Sequence, residues 1–338
     1  MHRLLMSLAV CLFPMLLSAA EPAGAKIVEV RKIWDKTPHS AFTDLIRLND
    51  RWYCSFRVGQ GHVSKDGSLQ VITSSDGQTW ESAALLSDTM DLRDPKLSIT
   101  PQGELMMVGA KAYHKPGDPF VRQSIVSFSK DGREWSKPLD VADRDYWLWR
   151  VTWHKGTAYG TAYRSFGVGA QTTQLAGTQR EARLYKSTDG RKFETLVASA
   201  YTEGFPNEGT VLFMPDDTCY WLLRRDDKAK TSVLGTSHPP YTDWSWKETG
   251  TKIGGPNFIR LPDGRLVAVV RLYDKKVRTA LCWLDPEQAK LTEFLTLPSG
   301  GDTSYTGLVW HEGLLWISYY SSHEGKTSIY LAKVAFDK

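Results

Sequence analysis

Four short stretches carry side chains whose types and spacing suit chemistry. Glu208 lies in Asn207-Glu-Gly-Thr-Val-Leu-Phe213, and Arg224 follows sixteen residues later at the end of Leu222-Leu-Arg224. Arg278 opens Arg278-Thr-Ala-Leu-Cys282, and Tyr305 stands in Ser304-Tyr-Thr-Gly-Leu308. A carboxylate can accept the proton of a hydroxyl, and guanidinium groups grip anionic oxygens bidentately, which Lys cannot do. The stretch Gly59-Gln-Gly-His-Val-Ser-Lys-Asp-Gly67 adds His62 and Asp66, and Arg93-Asp-Pro-Lys96 adds Asp94. Lys-Asp-Gly is an ordinary turn, so Asp66 reads as a turn former. The glycines before His62 suit a loop side chain aimed at a ligand. Asp94 reads either as an acid or as a brace paired to an arginine; His62 and Asp94 stand level as acid/base candidates.

These residues span most of the chain, so a closed scaffold must gather them. Three copies of one motif recur: Ser74-Ser-Asp-Gly-Gln-Thr-Trp80, Ser129-Lys-Asp-Gly-Arg-Glu-Trp135 and Ser187-Thr-Asp-Gly-Arg-Lys-Phe193, with aspartates 55 and 58 residues apart. Each follows a β-like run and contains Asp-Gly, a hairpin signal. A degenerate fourth copy spans Ser237 to Trp244. A second period is longer: strand, tight turn, strand recurs six times. Its turns are Asn49-Asp50, Pro101-Gln-Gly103, His154-Lys-Gly156, Pro215-Asp-Asp217, Pro262-Asp-Gly264 and His311-Glu-Gly313. A repeat of about fifty residues is one four-stranded propeller blade. The fold class is therefore all-β, a six-bladed β-propeller. The last unit, Tyr305 to Ala335, is one strand short, and Ile27 to Ile33 is placed to complete it.

That topology sorts the residues. Asp-Gly turns joining third to fourth strands fall at one end of the ring. The opposite end collects the starts of inner strands and the ends of second strands. It gathers Asp44, Arg93 with Asp94, Trp149 with Arg150, Glu208, Asn257 and Tyr305, then Arg57, Lys111, Arg164, Arg224 with Arg225, and Arg271. Third-strand approaches add His62, Arg122, Arg180 and Arg278. So many ionisable groups at one mouth are costly to desolvate without a ligand, and their excess of arginine points to an anionic one. Trp147 and Trp149 share a strand face, where they either stack on a sugar or pack in the core.

The three motif copies resemble the Asp-box, or BNR repeat, of the sialidase superfamily, one residue shorter than its commonest form. The Glu208–Arg224, Arg278 and Tyr305 segments resemble that superfamily's fourth, fifth and sixth blades. The resemblance implies a retaining mechanism in which Tyr305 attacks, Glu208 is its base, and Arg224 and Arg278 clamp a carboxylate; a neutral tyrosine avoids the repulsion a carboxylate nucleophile would meet. Two departures stand out. Sialidases open blade one with an Arg that completes the triad, where this chain has Phe42 in Ala41-Phe-Thr-Asp-Leu-Ile46. The Glu that holds that Arg is replaced by Tyr319-Tyr-Ser. Arg57, His62, Arg93 and Asp94 are expected to form the blade-one and blade-two wall, with Arg150 and Trp149 on the substrate as well.

Composition bounds the rest. The chain has 338 residues and a net charge of +4 from 42 basic and 38 acidic residues of interspersed sign, which excludes a dedicated nucleic-acid binder. Residues 1–20 read as an export signal: a basic start, the apolar run Leu4 to Leu17, then Ser18-Ala-Ala20. The run is too short for a membrane span. Residues 21–338 then form one propeller domain, expected to be an exported monomer. Cys54, Cys219 and Cys282 lack CxxC spacing and read as buried thiols. No cofactor or metal is implied. The expected partner is a glycan ending in an acidic sugar, cleaved by an exo-acting hydrolase of sialidase type. A non-catalytic glycan-binding propeller, or a glycosidase for another acidic sugar such as a uronic acid, is the alternative.

Overall fold

A computed structural model describes residues 24–113, 122–164 and 180–337; the expected export signal lies outside them. The described residues form twenty-four strands in six antiparallel sheets of four. Strand β1 (Ala25–Trp34) precedes blade one. Blade one contains β2 (His39–Leu48), β3 (Arg51–Gly59), β4 (Ser68–Ser74) and β5 (Glu81–Leu86). Blade two contains β6 (Asp91–Ile99), β7 (Leu105–Ala112), β8 (Arg122–Ser129) and β9 (Leu139–Val141). Blade three contains β10 (Tyr146–His154), β11 (Thr157–Arg164), β12 (Ala182–Ser187) and β13 (Glu194–Tyr201). Blade four contains β14 (Pro206–Phe213), β15 (Cys219–Arg225), β16 (Val233–Ser237) and β17 (Ser245–Glu248). Blade five contains β18 (Ile253–Arg260), β19 (Leu266–Leu272), β20 (Arg278–Asp285) and β21 (Lys290–Thr296). Blade six contains β22 (Thr303–His311), β23 (Leu314–Ser321) and β24 (Ser328–Phe336). Strand β1 completes it, pairing with β24 from Ala25↔Phe336 to Trp34↔Ile329. The six turns read from the sequence all join first to second strands, and the N-terminal strand closes the ring as expected.

Burial follows strand position. The second and third strands are almost wholly buried, as in Arg51–Gly59 and Arg122–Ser129, and their mixed apolar runs need no alternation. Outer strands such as Glu81–Leu86 are half exposed. The exposed edge at β1 carries Lys26, Glu29, Arg31 and Lys32, charges that discourage pairing with another chain. Cys54, Cys219 and Cys282 are free and buried.

The Ser-X-Asp-Gly turns join third to fourth strands. In the first, Gly77 N donates to Ser74 Oγ (2.8 Å), Gln78 N and Thr79 N donate to Asp76 Oδ1 (2.7 and 2.8 Å), and Trp80 Nε1 donates to Gly77 O. Gly77 has φ of 68°, a conformation that costs glycine least. The sequence around Trp244 makes the same turn with Tyr241 (φ 67°) in the glycine's place, its carbonyl accepting from Trp244 Nε1.

Candidate active site

Every blade's innermost strand carries a bulge at the same place. Pairing steps from Ala41↔Arg57 to Asp44↔Ser55, from Arg93↔Ala110 to Lys96↔Val108, and from Ser304↔Tyr320 to Gly307↔Ser318, one residue more on the inner strand each time. Blades three, four and five do the same at Leu148–Arg150, Pro206–Gly209 and Gly254–Asn257. Bulges re-aim side chains and sharpen twist. Here they put Phe42 (φ 64°), Asp94 (φ 52°), Gly255 (φ 55°) and Tyr305 (φ 53°) in the left-handed region, with Glu208 inside the bulge of blade four. Such conformations cost of order 1–3 kcal/mol each unless the surroundings fix them. Neighbouring blades do: Thr43 Oγ1 donates to Tyr305 O (2.8 Å), Ser55 Oγ to Pro95 O (3.3 Å), Thr161 Oγ1 to Gly209 O (2.5 Å) and Thr210 Oγ1 to Pro256 O (2.7 Å).

The bulges of blades four, five and six meet. Tyr305 OH donates to Glu208 Oε1 at 2.5 Å. Glu208 Oε2 accepts from Arg224 Nη1 (2.8 Å) and from Gly255 N (2.9 Å), and Arg224 Nη1 also reaches Tyr305 Oη at 3.1 Å. A Cβ on Gly255 would stand 2.8 Å from the Tyr305 ring, so only glycine admits this approach. Burial, then the Glu208 charge, holds the Tyr305 hydroxyl well above its ordinary pKa, against the pull of Arg224 and Arg271. The resting tyrosine is therefore neutral, with its proton already aimed at a carboxylate.

Two guanidinium groups flank it. Arg224 Nε bonds Asp226 Oδ1 at 2.9 Å, and Asp226 also accepts from Asn207 Nδ2 (2.6 Å) and Arg180 Nη1 (3.3 Å). The Arg271 guanidinium lies 5.1 Å from the Tyr305 ring centre and donates to Thr303 O, Asp302 Oδ1 and Tyr320 Oη. Arg224 Nη2 and Arg271 Nη1 make no hydrogen bond among the described residues, and both side chains keep some exposure. Below them Lys96 Nζ lies 5.0 Å from the Trp149 ring and 5.9 Å from the Tyr305 ring. Burial pushes its ammonium down to about 8, against the pull of Asp44.

Blades one and two supply the facing wall. The Phe42 ring sits edge-on to Tyr305 (5.3 Å), Tyr320 (5.4 Å) and His62 (5.0 Å), with the Arg93 guanidinium 5.4 Å away. Arg93 Nη2 donates to His62 O and Nη1 to Asp91 Oδ2 (3.2 Å), and its Nε is buried with no partner among the described residues. Asp94 is buried, and its Oδ1 has no partner among the described residues. Burial raises its carboxyl above the ordinary value; Arg93 and Lys96 oppose this and Glu208 reinforces it. His62 is half exposed, with Nδ1 2.6 Å from Asp302 Oδ2.

Four expectations need correcting. Arg57 has 0% exposure and is fully engaged by Asp91 Oδ1, Gly61 O, Ser64 O and Ser64 Oγ, so it braces the loop rather than meeting a ligand. Arg278 bonds Glu293 and Asp274 within blade five and touches none of Tyr305, Glu208 or Arg224; Arg271 holds the place foreseen for it. Arg150 binds Asp44 Oδ2 (2.9 Å) and ties blade three to blade one. Trp149 is 2% exposed and packs edge-on against Tyr305 at 5.4 Å, which leaves no face for a sugar. Sequence reasoning placed Arg271 at the mouth without singling it out, and it missed Lys96, Gly255 and Asp302. The repeated inner-strand position was the available signal for Gly255.

The fold and site thus define a six-bladed propeller whose mouth holds a Tyr–Glu pair between arginines. No protein-family model and no curated protein matches the chain. Among solved structures it is similar to a protein of unknown function from Dyadobacter fermentans, at 20% identity over 93% of this chain and 100% of that one, with a TM-score of 0.81. It is also similar to an alpha-L-arabinofuranosidase from Fusarium graminearum (14% identity, 92% and 98% of the two chains, TM-score 0.69). A sialidase from Trypanosoma rangeli matches at 10% identity over 93% of this chain and 60% of its own, with a TM-score of 0.64. These likenesses establish the six-bladed architecture.

Proposed function

We propose that the chain is an exported, retaining exo-glycoside hydrolase of sialidase type that releases a terminal acidic sugar. The observation that carries this reading is the 2.5 Å bond from the Tyr305 hydroxyl to Glu208. As Tyr305 Oη attacks the anomeric carbon, its proton passes to Glu208 Oε1, and the glycosidic bond breaks toward the aglycone. Asp94, whose carboxyl pKa burial raises above its usual range, gives its proton to the departing oxygen. Water, deprotonated by Asp94, then releases the sugar from Tyr305, and Glu208 returns the phenol proton. Arg224 and Arg271 hold the sugar's carboxylate through their unengaged amino groups, with Arg93 beside Phe42 as the third positive charge.

A second reading is favoured by Phe42. An apolar ring stands where sialidases place an arginine, and the Fusarium graminearum protein of the same fold is an arabinofuranosidase. On that reading the sugar is neutral, Glu208 attacks directly, and Tyr305 only donates a hydrogen bond to it.

Fluorinated mechanism-based inhibitors built on sialic acid, a uronic acid and arabinofuranose separate the two. Capture of the acidic probe on Tyr305, located by peptide mass spectrometry and lost in Tyr305→Phe, supports the first reading. Capture of the arabinose probe on Glu208 supports the second. Binding of acidic glycans with neither release nor capture would leave a glycan-binding propeller and end both.

A further inference from the structure

At the corner of the mouth where Phe42 replaces the family arginine, three ligand-type atoms converge. His39 Nε2, at the start of β2, lies 3.2 Å from Asp302 Oδ2, and His62 Nδ1, on the loop after β3, lies 2.6 Å from the same oxygen. All three atoms lie within 4.8 Å of one another. The imidazole rings are 5.8 Å apart and nearly perpendicular, so their nitrogens approach the carboxylate from two directions. We propose that His39, His62 and Asp302 form a binding site for one divalent transition-metal ion of the zinc type.

The donor set selects the metal. Two imidazoles and one carboxylate match zinc and its neighbours, whereas calcium and magnesium need more oxygens than a lone carboxylate beside Arg271 can offer. Bond lengths of about 2.0–2.1 Å in a tetrahedral site imply ligand atoms about 3.3 Å apart. The His39–Asp302 separation already matches that spacing. The His62–Asp302 separation must widen by about 0.7 Å on the same tetrahedral geometry, a small shift for a half-exposed loop side chain. The outer surroundings are those of a metal carboxylate: Tyr320 Oη donates to Asp302 Oδ1 at 2.8 Å and Arg271 Nη2 at 3.3 Å, which fixes the group and leaves Oδ2 to the ion.

Three protein ligands leave a coordination position open. His39 is nearly buried and His62 is 48% exposed, so solvent reaches the site from the His62 side. Phe42 separates the site from Tyr305, its ring 5.0 Å from His62 and 5.3 Å from Tyr305. The ion would restore positive charge beside Phe42 and give a sugar oxygen or carboxylate a point of attachment there. The binding claim itself holds whether or not the glycosidase reading does.

The test is metal binding, not turnover. Chelator-treated protein is titrated with Zn²⁺ against a competing chromophoric chelator, and with Co²⁺ followed by visible absorption. The expected result is one equivalent bound with a Kd of about 10 µM or tighter, weakened at least about tenfold in His62→Ala and in Asp302→Asn. His154→Ala, which removes a different surface His–Asp pair, is expected to leave the affinity unchanged. His62 is a loop residue, and the melting curve of its variant verifies folding. Absence of a stoichiometric Zn²⁺, or binding that His62→Ala leaves unaltered, overturns the proposal.

Discussion

In the proposed reaction Asp94 supplies the proton and Arg271 holds the substrate, and each can be probed alone. Asp94 combines burial, φ of 52° and a side-chain oxygen with no partner among the described residues, an environment that favours the protonated form of its carboxyl. Its folded pKa lies above the ordinary 3.8, so activity is expected to fall as pH rises through the raised value. The same sign governs stability: the protonated carboxyl's contribution is complete below 3.8 and is lost as pH rises through the folded pKa. Asp94→Asn is expected to slow cleavage of substrates with poor leaving groups by about 10²–10⁴-fold while largely sparing activated aryl glycosides. Equal loss on both substrate types would remove Asp94 from the acid role. Arg271→Ala is expected to cost about 2–4 kcal/mol in kcat/KM, and Arg278→Ala to leave kinetics unchanged. Glu208, Arg224 and Tyr305 were legible because each sits in a short local pattern. Arg271 and Arg278 are near neighbours across the β19–β20 hairpin, where Leu272 pairs with Arg278 and Arg271 with Thr279. Which of them faces Tyr305 is a matter of one residue of strand phase, and only the fold sets that.

At the scale of elements, the bulges govern the site. Turns were readable because Gly, Pro, Asp and Asn adopt turn conformations for local reasons. The inner-strand bulges were not, because residues as unlike as Phe42, Asp94 and Tyr305 occupy equivalent positions and no local preference marks them. What sustains them comes from the next blade. Thr43 from blade one holds the Tyr305 carbonyl of blade six and itself accepts from Ser318 Oγ (3.0 Å). Thr43→Val keeps the shape and removes the hydroxyl, leaving a buried carbonyl unpaired at a cost of about 1–3 kcal/mol. Urea unfolding is expected to show that loss, together with a fall in kcat larger than the change in KM, because the variant frees the Tyr305 backbone without touching the arginines. Unaltered kcat in a destabilised Thr43→Val would separate bulge support from catalysis.

At the scale of the molecule, no blade owns the site. The Tyr–Glu pair comes from blades six and four, Arg224 and Arg271 from blades four and five, and Asp94 from blade two, so these groups meet only when the ring is complete. Closure rests on β1 in blade six. Removing Ala25–Trp34 exposes the whole edge of β24, and the melting temperature is expected to drop by more than about 10 °C with aggregation on heating. An unchanged melting curve would show that the other five blade contacts suffice. The six-fold period, and with it the missing strand, could be counted from the turns, because blades one to five are each a continuous stretch of sequence and the sixth falls one strand short. The assembly of the site across blades could be inferred only from topology.

The same closure brings the first and last described residues together. Gly24 O accepts from Asp337 N at 2.8 Å, and Ala25 pairs with Phe336. The gene order of the blades is thus separable from their order in space. A circular permutant, with 24 and 337 joined by a few residues and new ends cut between Gln102 and Gly103, keeps every strand pair. That turn is exposed, at the rim opposite Tyr305, with nothing within 4 Å of a Cβ on Gly103. It is expected to melt cooperatively and to keep whatever activity the parent shows, while folding from a different blade first as it leaves the ribosome.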